Sequence, residues 1–234
     1  MNHLTRTERA RFVQTMFGRI AERYDLLNRI MSFGQDVHWR EEAIQRLEIR
    51  ANTAIIDLGS GTGDIAMAVA NEHPTVFMVA SDFTSEMIRV GKQRPDGNMV
   101  AWVIADTEQL PFADESFAGV ISGFLLRNVS DITQALAEQH RLLASDGKVV
   151  SLETTPPRKN LLRPLLNFHL NHIIPILGKI IAGDAEAYTY LSSSTKKFLT
   201  VESLAEHFNN AGFMHTKYVR RMFGTVGIHW GEKV

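Results

Sequence analysis

Ile55-Ile56-Asp57-Leu58-Gly59-Ser60-Gly61-Thr62-Gly63-Asp64 is a short apolar run that ends in an acid and passes into three alternating glycines. Its β-branched start reads as a fully buried strand of a parallel sheet, and Ile65-Ala66-Met67-Ala68-Val69-Ala70 behind it has the composition of the following helix. The turn between them is therefore a ligand site. Glycines there allow positive φ and a close approach by a bound molecule, while the free N–H groups of the helix start face whatever binds.

The spacing says what kind of ligand. The dinucleotide fingerprint is G-x-G-x-x-G, whereas here the third glycine arrives one residue sooner and Asp57 precedes the first. A turn that binds nothing is disfavoured, because three glycines cost backbone entropy that packing does not require. Asp-x-Gly-x-Gly-x-Gly after a buried strand resembles the first motif of the class I S-adenosylmethionine-dependent methyltransferases. That resemblance implies an α/β fold with a Rossmann-like seven-stranded sheet, its last strand antiparallel, and S-adenosyl-L-methionine as cofactor held near Asp57, Gly59, Gly61, Thr62 and Gly63.

Outward from the turn, strand and helix alternate. Val76 to Asp82 reads as a second strand ending in an acid about 20 residues beyond the glycines, where a carboxylate accepts both ribose hydroxyls. Asp82 also suits a cap on the helix from Ser85 to Arg94. Met99 to Ala105 is a third strand followed by Asp106-Thr107, and Asp106 reads equally as turn chemistry or as acceptor for an adenine amine. Phe117 to Gly123 is the fourth strand, so Arg127 and Asn128 lie at the sheet's carboxyl edge, with directed donors for an oxygen or developing phenolate. Asp131 to Leu143 is an amphipathic helix, 144–147 its closing turn, and Lys148 to Glu153 the fifth strand. A helix from Thr200 to Ala211 and two antiparallel strands, His215 to Arg221 and Thr225 to Trp230, complete the chain.

Length and charge bound the rest. The 234 residues, 44% hydrophobic, suit one α/β domain over 1–234: helices over 1–50, a cofactor core over 51–154, an apolar insertion over 155–195 and a closing unit over 196–234. Lys+Arg (25) and Asp+Glu (26) nearly cancel, which argues against nucleic acid as partner. No cysteine is present, excluding cysteine-based zinc or nucleophile chemistry, and the start shows no apolar signal segment, so a cytoplasmic protein is expected. His169 and His172 lack further ligands, so no metal is expected.

Two regions flank the core. Phe12, Met16, Phe17, Ile20, Tyr24, Leu27 and Met31 recur at helical steps, and this N-terminal segment is expected as a lid over the site. Tyr24, Asp25 and Asn28 read equally as substrate-facing groups or as packed and solvated residues; Asp36 is expected to cap the next helix. The insertion is the most apolar part of the chain, yet its polar residues and the expected breaks at Pro164 and Pro175 argue against a membrane span. Core packing, a cap on a hydrophobic pocket and contact with a membrane surface all stay open.

Several separated stretches carry a closer resemblance. Phe17 to Asn28, Met31-Ser32-Phe33-Gly34, Asp57 to Asp64, Leu126-Arg127-Asn128-Val129 and Ala182 to Leu191 together resemble the menaquinone and ubiquinone C-methyltransferases over nearly the whole chain. The resemblance implies C-methylation of a polyprenyl quinol, demethylmenaquinol foremost, with a methoxy-polyprenyl-benzoquinol, a lipid amine or a small phenol as alternative acceptors. A non-enzymatic module of the same fold would bind the cofactor without turnover. Cofactor contacts carry over to Thr62, Asp82, Asp106 and Thr107, and Arg127, Asn128 and Tyr24 are expected on the reacting oxygen, with His38 and His169 as weaker proton carriers. Transient contact with the inner face of a membrane is expected from the isoprenoid tail, and either a monomer or a homodimer is compatible. One departure stands out: the family's Ser-Phe-Gly-Leu-Arg-Asn is Gly123-Phe124-Leu125-Leu126-Arg127-Asn128 here.

Overall fold

The computed structural model describes residues 5–158 and 160–234. Its centre is a seven-stranded sheet of β1 (Ala54–Leu58), β2 (Phe77–Asp82), β3 (Ala101–Ile104), β4 (Phe117–Gly123), β5 (Leu143–Thr154), β6 (Met214–Arg221) and β7 (Val226–Glu232), in the order β3-β2-β1-β4-β5-β7-β6. Strands β1 to β5 run parallel, while β7 is antiparallel to both neighbours, as the glycine motif implied. The order reverses between β1 and β4, whose carboxyl ends therefore flank a crevice open to a ligand.

Burial explains the continuous apolar run of β1. Ile55 belongs to a cluster on one face with helices α3 (Gln35–Arg46) and α4 (Asp64–Glu72), through Trp39, Ala43, Ile65 and Val69. Ile56 and Leu58 belong to the opposite face, with α6 (Ile132–Leu142) and a late helix over Val201–Asn210, through Leu136, Leu204 and Phe208. Each such side chain removed from water contributes about 1.5–3 kcal/mol before entropy is counted, so both faces must be covered.

The fifth strand is longer than its sequence suggests. The helix before it ends at Leu142, with Asp131 as N-cap accepting the Gln134 N–H, and 143–147 extend β5 instead of turning. Leu143 is fully buried and pairs with Phe117; that burial outweighs the turn preference of Ser145-Asp146-Gly147, which survives as an irregularity with Asp146 at φ 61°.

A third cluster joins the two flanking regions. Helices α1 (Arg6–Ile20) and α2 (Tyr24–Met31), linked by a 3-10 turn, contribute Met16, Ile20 and Leu27. They pack on Ile174 of α7 (Arg163–Ala182) and on Tyr188 and Leu191 of α8 (Ala185–Lys197). Thr5 and Glu8 form a reciprocal capping box that starts α1. Gly34, at φ 75°, and not Asp36, is the N-cap of α3; the Ser32 hydroxyl accepts the Asp36 N–H at 3.2 Å, and the Asp36 side chain is buried beneath the guanidinium groups of Arg29 and Arg40.

The expected proline breaks do not occur: α7 is one 20-residue helix. Pro164 sits in its first turn, where no N–H is needed. Before Pro175 the ladder widens into a π-turn in which the Ile174 N–H reaches back to His169, easing the clash a proline imposes on an α-helix. Gly183, at φ 71°, ends it.

Candidate active site

The glycine turn opens a cavity of about 390 Å³ at the carboxyl ends of β1, β2 and β4. Gly59 and Gly61 hold φ of 62° and 57°, a region that side chains with a Cβ rarely adopt, and both line the cavity. Asp82 braces the turn from below: one carboxylate oxygen accepts the Gly61 N–H at 2.8 Å and the other accepts the Thr84 N–H at 2.7 Å. The carboxylate organises the entry to α5 (Ser85–Lys92), whose N-cap is Thr84 and not Asp82, and also forms cavity wall. Burial pushes its pKa up, opposed by those N–H groups. Asp106 and Thr107 complete that wall, and Asp106 also accepts the Glu108 N–H at 2.9 Å, so here too turn chemistry and cavity lining coexist. Phe17 and Tyr24, edge to face at 5.8 Å, form the roof expected of a lid.

Three expected cofactor contacts lie elsewhere. Thr62 is buried and does not line the cavity; its hydroxyl is committed to the Asp25 carboxylate at 2.7 Å, fastening α2 to the turn. Asp57 is only 1% exposed, under the turn, where the Ala66 backbone N–H is the one donor directed at its carboxylate among the described residues. Burial, reinforced by the Asp82 charge, pushes its carboxyl well above the usual range. Gly63 precedes α4 at φ 87° in the N-cap position, and a Cβ there would stand 2.4 Å from the Trp102 ring.

Beyond β4 the chain turns at Phe124, itself at φ 60°. Phe124 separates the cofactor cavity from a second, apolar cavity of about 130 Å³ between α2, α7, α8 and the ends of β5 and β7, and lines both. Its ring lies between two guanidinium groups, Arg127 at 5.2 Å and Arg40 at 5.5 Å. Arg127 and Asn128, expected on one oxygen, divide between the cavities: Arg127 lines the apolar one and Asn128 the cofactor one. Arg127 is buried and held by Glu153 at 3.0 Å, leaving Nε without a partner among the described residues. Asn128 gives its side-chain N–H to the Phe124 carbonyl at 3.0 Å, which stiffens the turn. Tyr24 roofs the cofactor side, its pKa pushed up by burial and pulled back by Arg127.

Of the two histidines, His38 is on the surface beside Glu41 and lines neither cavity, since its helix turns Trp39 inward instead. His169 lines the apolar cavity and stacks on Phe33. Sequence reasoning missed Glu153 and Ser192. The first reads as a strand end and the second as one of three consecutive serines, and only the fold brings them to the Arg127 loop and the apolar wall.

Residues 4–233 match the model of the ubiE/COQ5 methyltransferase family. The chain belongs to that family. It is 43% identical over 221 residues, 94% of this chain and 90% of the relative, to the ubiquinone/menaquinone biosynthesis C-methyltransferase of Desulfotalea psychrophila. To the demethylmenaquinone methyltransferase of Thermus thermophilus it is 37% identical, covering 93% of this chain and all of the relative. Among solved structures, a Thermotoga maritima S-adenosylmethionine-dependent methyltransferase superposes with a TM-score of 0.66 at 17% identity, over 95% of this chain and all of that one. A Haemonchus contortus phosphoethanolamine N-methyltransferase in complex with S-adenosyl-L-methionine does so at 0.64 and 13%, over 84% and 52%. The protein is thus a methyltransferase of the ubiE/COQ5 family, and the S-adenosyl-L-methionine expected from its glycine motif is its cofactor. The cavity fits that molecule: glycines at positive φ along one wall, a carboxylate at the end of β2 and a volume of the right order.

Its departure from the family's usual loop has a local logic. Leu125 lies directly on Gly59, where a Cβ would come within 2.6 Å of Leu125 Cδ1, so a larger loop residue rests against the smallest turn residue. Gly123 does the reverse, since a Cβ there would press to 2.9 Å from Ile65 Cδ1.

Proposed function

We propose that this methyltransferase methylates a ring carbon of a polyprenylated hydroquinone, demethylmenaquinol to menaquinol, at the inner face of a membrane. One observation carries the proposal. The apolar cavity adjoins the cofactor cavity at Phe124, and its lining includes two buried polar atoms with no partner among the described residues, Arg127 Nε and Ser192 Oγ, beside Asn28, whose amide is directed at the Tyr24 hydroxyl. Unsatisfied donors in a greasy site lose about 1–3 kcal/mol each, a cost that a flat apolar ring bearing oxygens would recover. The names of the relatives support the same acceptor class.

S-adenosyl-L-methionine, when bound, supplies an electrophilic methyl group on a sulfonium. The chain's own contribution is positioning, charge stabilisation and exclusion of water. Arg127, fixed by Glu153, presents a cation to the acceptor hydroxyl, lowers its pKa and stabilises the phenolate that makes the adjacent carbon nucleophilic. Asn28 and Ser192 donate to acceptor oxygens and set the ring's orientation. His169, on the same wall, is the group to take the hydroxyl proton; once the ring carbon carries the methyl its own hydrogen leaves as a proton and the oxygen is reprotonated, which restores the aromatic quinol.

The outer surface of α7 suits the tail. Leu161, Leu165, Phe168, Ile176 and Ile180 are exposed on or beside it, and no acid occurs over 155–183, whereas Arg158, Arg163 and Lys179 do. Such a face favours an anionic bilayer surface. The direct test is turnover of short-tailed demethylmenaquinol with methyl-labelled cofactor, read as labelled menaquinol. Loss of the gene product should also leave demethylmenaquinone among the extracted cellular quinones. Unchanged quinones and no labelled product would reject the reading.

A further inference from the structure

A third cavity, of about 480 Å³, lies behind the Arg127 loop, between α1, the start of α6 and α8. Of the groups used in the reaction derived above, only Arg127, already paired with Glu153, lines it. Its walls include the apolar side chains Phe12, Leu126 and Phe198, and its rim carries two cations, Arg9 and Lys197. Neither cation has a carboxylate partner among the described residues. The one acid in the lining, Asp131, is occupied as the N-cap of α6.

The second observation is independent of those charges. Tyr190 lines the same cavity and is 7% exposed; Arg9 is the one group drawn to its hydroxyl oxygen, and the hydroxyl hydrogen has no acceptor among the described residues. Its ring is fixed edge to face on Phe12 at 5.5 Å, so the hydroxyl cannot swing out to water without breaking that contact. The positive charges of Arg9 and Arg127 both act on this phenol. Arg9 also gives one N–H to the Arg127 carbonyl at 3.3 Å, which leaves most of its donors free.

A buried phenol donor, a half-used guanidinium and an ammonium around an apolar floor make a site with one missing component. We infer that this cavity binds a small organic anion, a carboxylate or a phosphate monoester on an apolar body, with Arg9, Lys197 and Tyr190 holding the charged end. A neutral ligand would leave the two cations uncompensated, and a bare inorganic anion would leave the apolar floor uncovered. Because Arg9 also holds the Arg127 carbonyl, occupancy of the site is felt at the loop that divides the two reaction cavities.

Calorimetric titration of the full-length protein, saturated with S-adenosylhomocysteine to block the cofactor cavity, tests this. The probes are benzoate, phenyl phosphate and the neutral benzyl alcohol. Saturable binding of at least one anion, weakening with added salt and tighter than benzyl alcohol by about tenfold or more, is expected from charge-assisted hydrogen bonds. The stronger anion identifies carboxylate or phosphate as the ligand class. Arg9→Gln and the surface variant Lys197→Gln should each weaken it by about tenfold, and Tyr190→Phe by a few-fold, with S-adenosylhomocysteine affinity unchanged as the check on folding. The proposal is overturned if neither anion binds at millimolar concentration, if benzyl alcohol binds equally well, or if Lys197→Gln and Arg9→Gln bind like the parent. None of these outcomes bears on methyl transfer to the quinol.

Discussion

Thr62, at the centre of the glycine turn, donates its hydroxyl hydrogen to the Asp25 carboxylate of α2, with the two carboxylate oxygens at 2.7 and 2.8 Å. Arg94 grips the same acid at 3.2 Å and the Thr62 carbonyl at 3.2 Å, so the lid, the turn and the end of α5 meet at one point. The lid is thereby attached to the cofactor turn and not merely laid over it. Thr62→Val keeps the shape and removes the donor. It is expected to weaken cofactor binding about five- to tenfold by loosening the Tyr24 roof, with little change in melting temperature, measured by titration calorimetry.

Arg127→Ala is expected to lower turnover of demethylmenaquinol by about a hundredfold or more, the loss typical of one preorganised charge-stabilising donor. Glu153→Gln should lower it less, because Arg127 itself remains, although the carboxamide oxygen can accept from only one of the two donors, the Leu126 N–H or the guanidinium. S-adenosylhomocysteine affinity should stay within about twofold in both, since neither side chain lines the cofactor cavity. Full turnover in Arg127→Ala would sink the assignment of the reacting oxygen to this residue.

Asp57 gives a pH signature. Its folded pKa lies well above the unfolded value near 3.8, so the acid binds its proton more tightly in the folded state. Its contribution to stability is complete below pH 3.8 and is lost as pH rises towards the folded pKa. Asp57→Asn removes that loss. The variant is expected to gain stability relative to the parent as pH rises from 5 to 8, measured by urea denaturation.

His229 gives the opposite signature. Its ring is buried, donates from Nε2 to the Val201 carbonyl at 2.9 Å and has a pKa lowered to about 4, chiefly by burial. Below the unfolded value near 6.5 the unfolded chain takes up a proton that the folded chain refuses. Stability should therefore fall between pH 6.5 and 4, by up to roughly 3 kcal/mol. His229→Gln retains the donor without the titration, and its denaturation midpoint should vary less over that window.

Ile176→Glu together with Ile180→Glu alters two exposed side chains of α7. Each apolar side chain withdrawn from a bilayer forfeits about 1.5–3 kcal/mol at full burial. Sedimentation with vesicles containing phosphatidylglycerol should drop at least tenfold, while turnover of a short-tailed, soluble quinol is unchanged.

The sequence by itself determined the sheet, the site of the cofactor turn and the family, because these rest on local patterns: a two-faced apolar strand, glycines that only a tight turn requires, and acids at strand ends. Asp82 was legible for that reason, standing at a fixed distance along the chain from the turn it braces. Only the tertiary structure decided which polar residues face which cavity. Asp57 and Thr62 carry the motif yet point into protein, the first sealed under the turn and the second bound to Asp25, because side-chain direction depends on which layer packs against the strand end. Arg127 and Asn128 are adjacent in sequence and part company at Phe124, whose positive φ turns the chain between the two cavities. Glu153 and Ser192 reach the site from 26 and 64–65 positions away, across contacts that no local pattern encodes. The unbroken α7 was hidden as well: two prolines predict a break, but one sits in the first turn and the ladder widens ahead of the other, while the helix packs on α2 and α8.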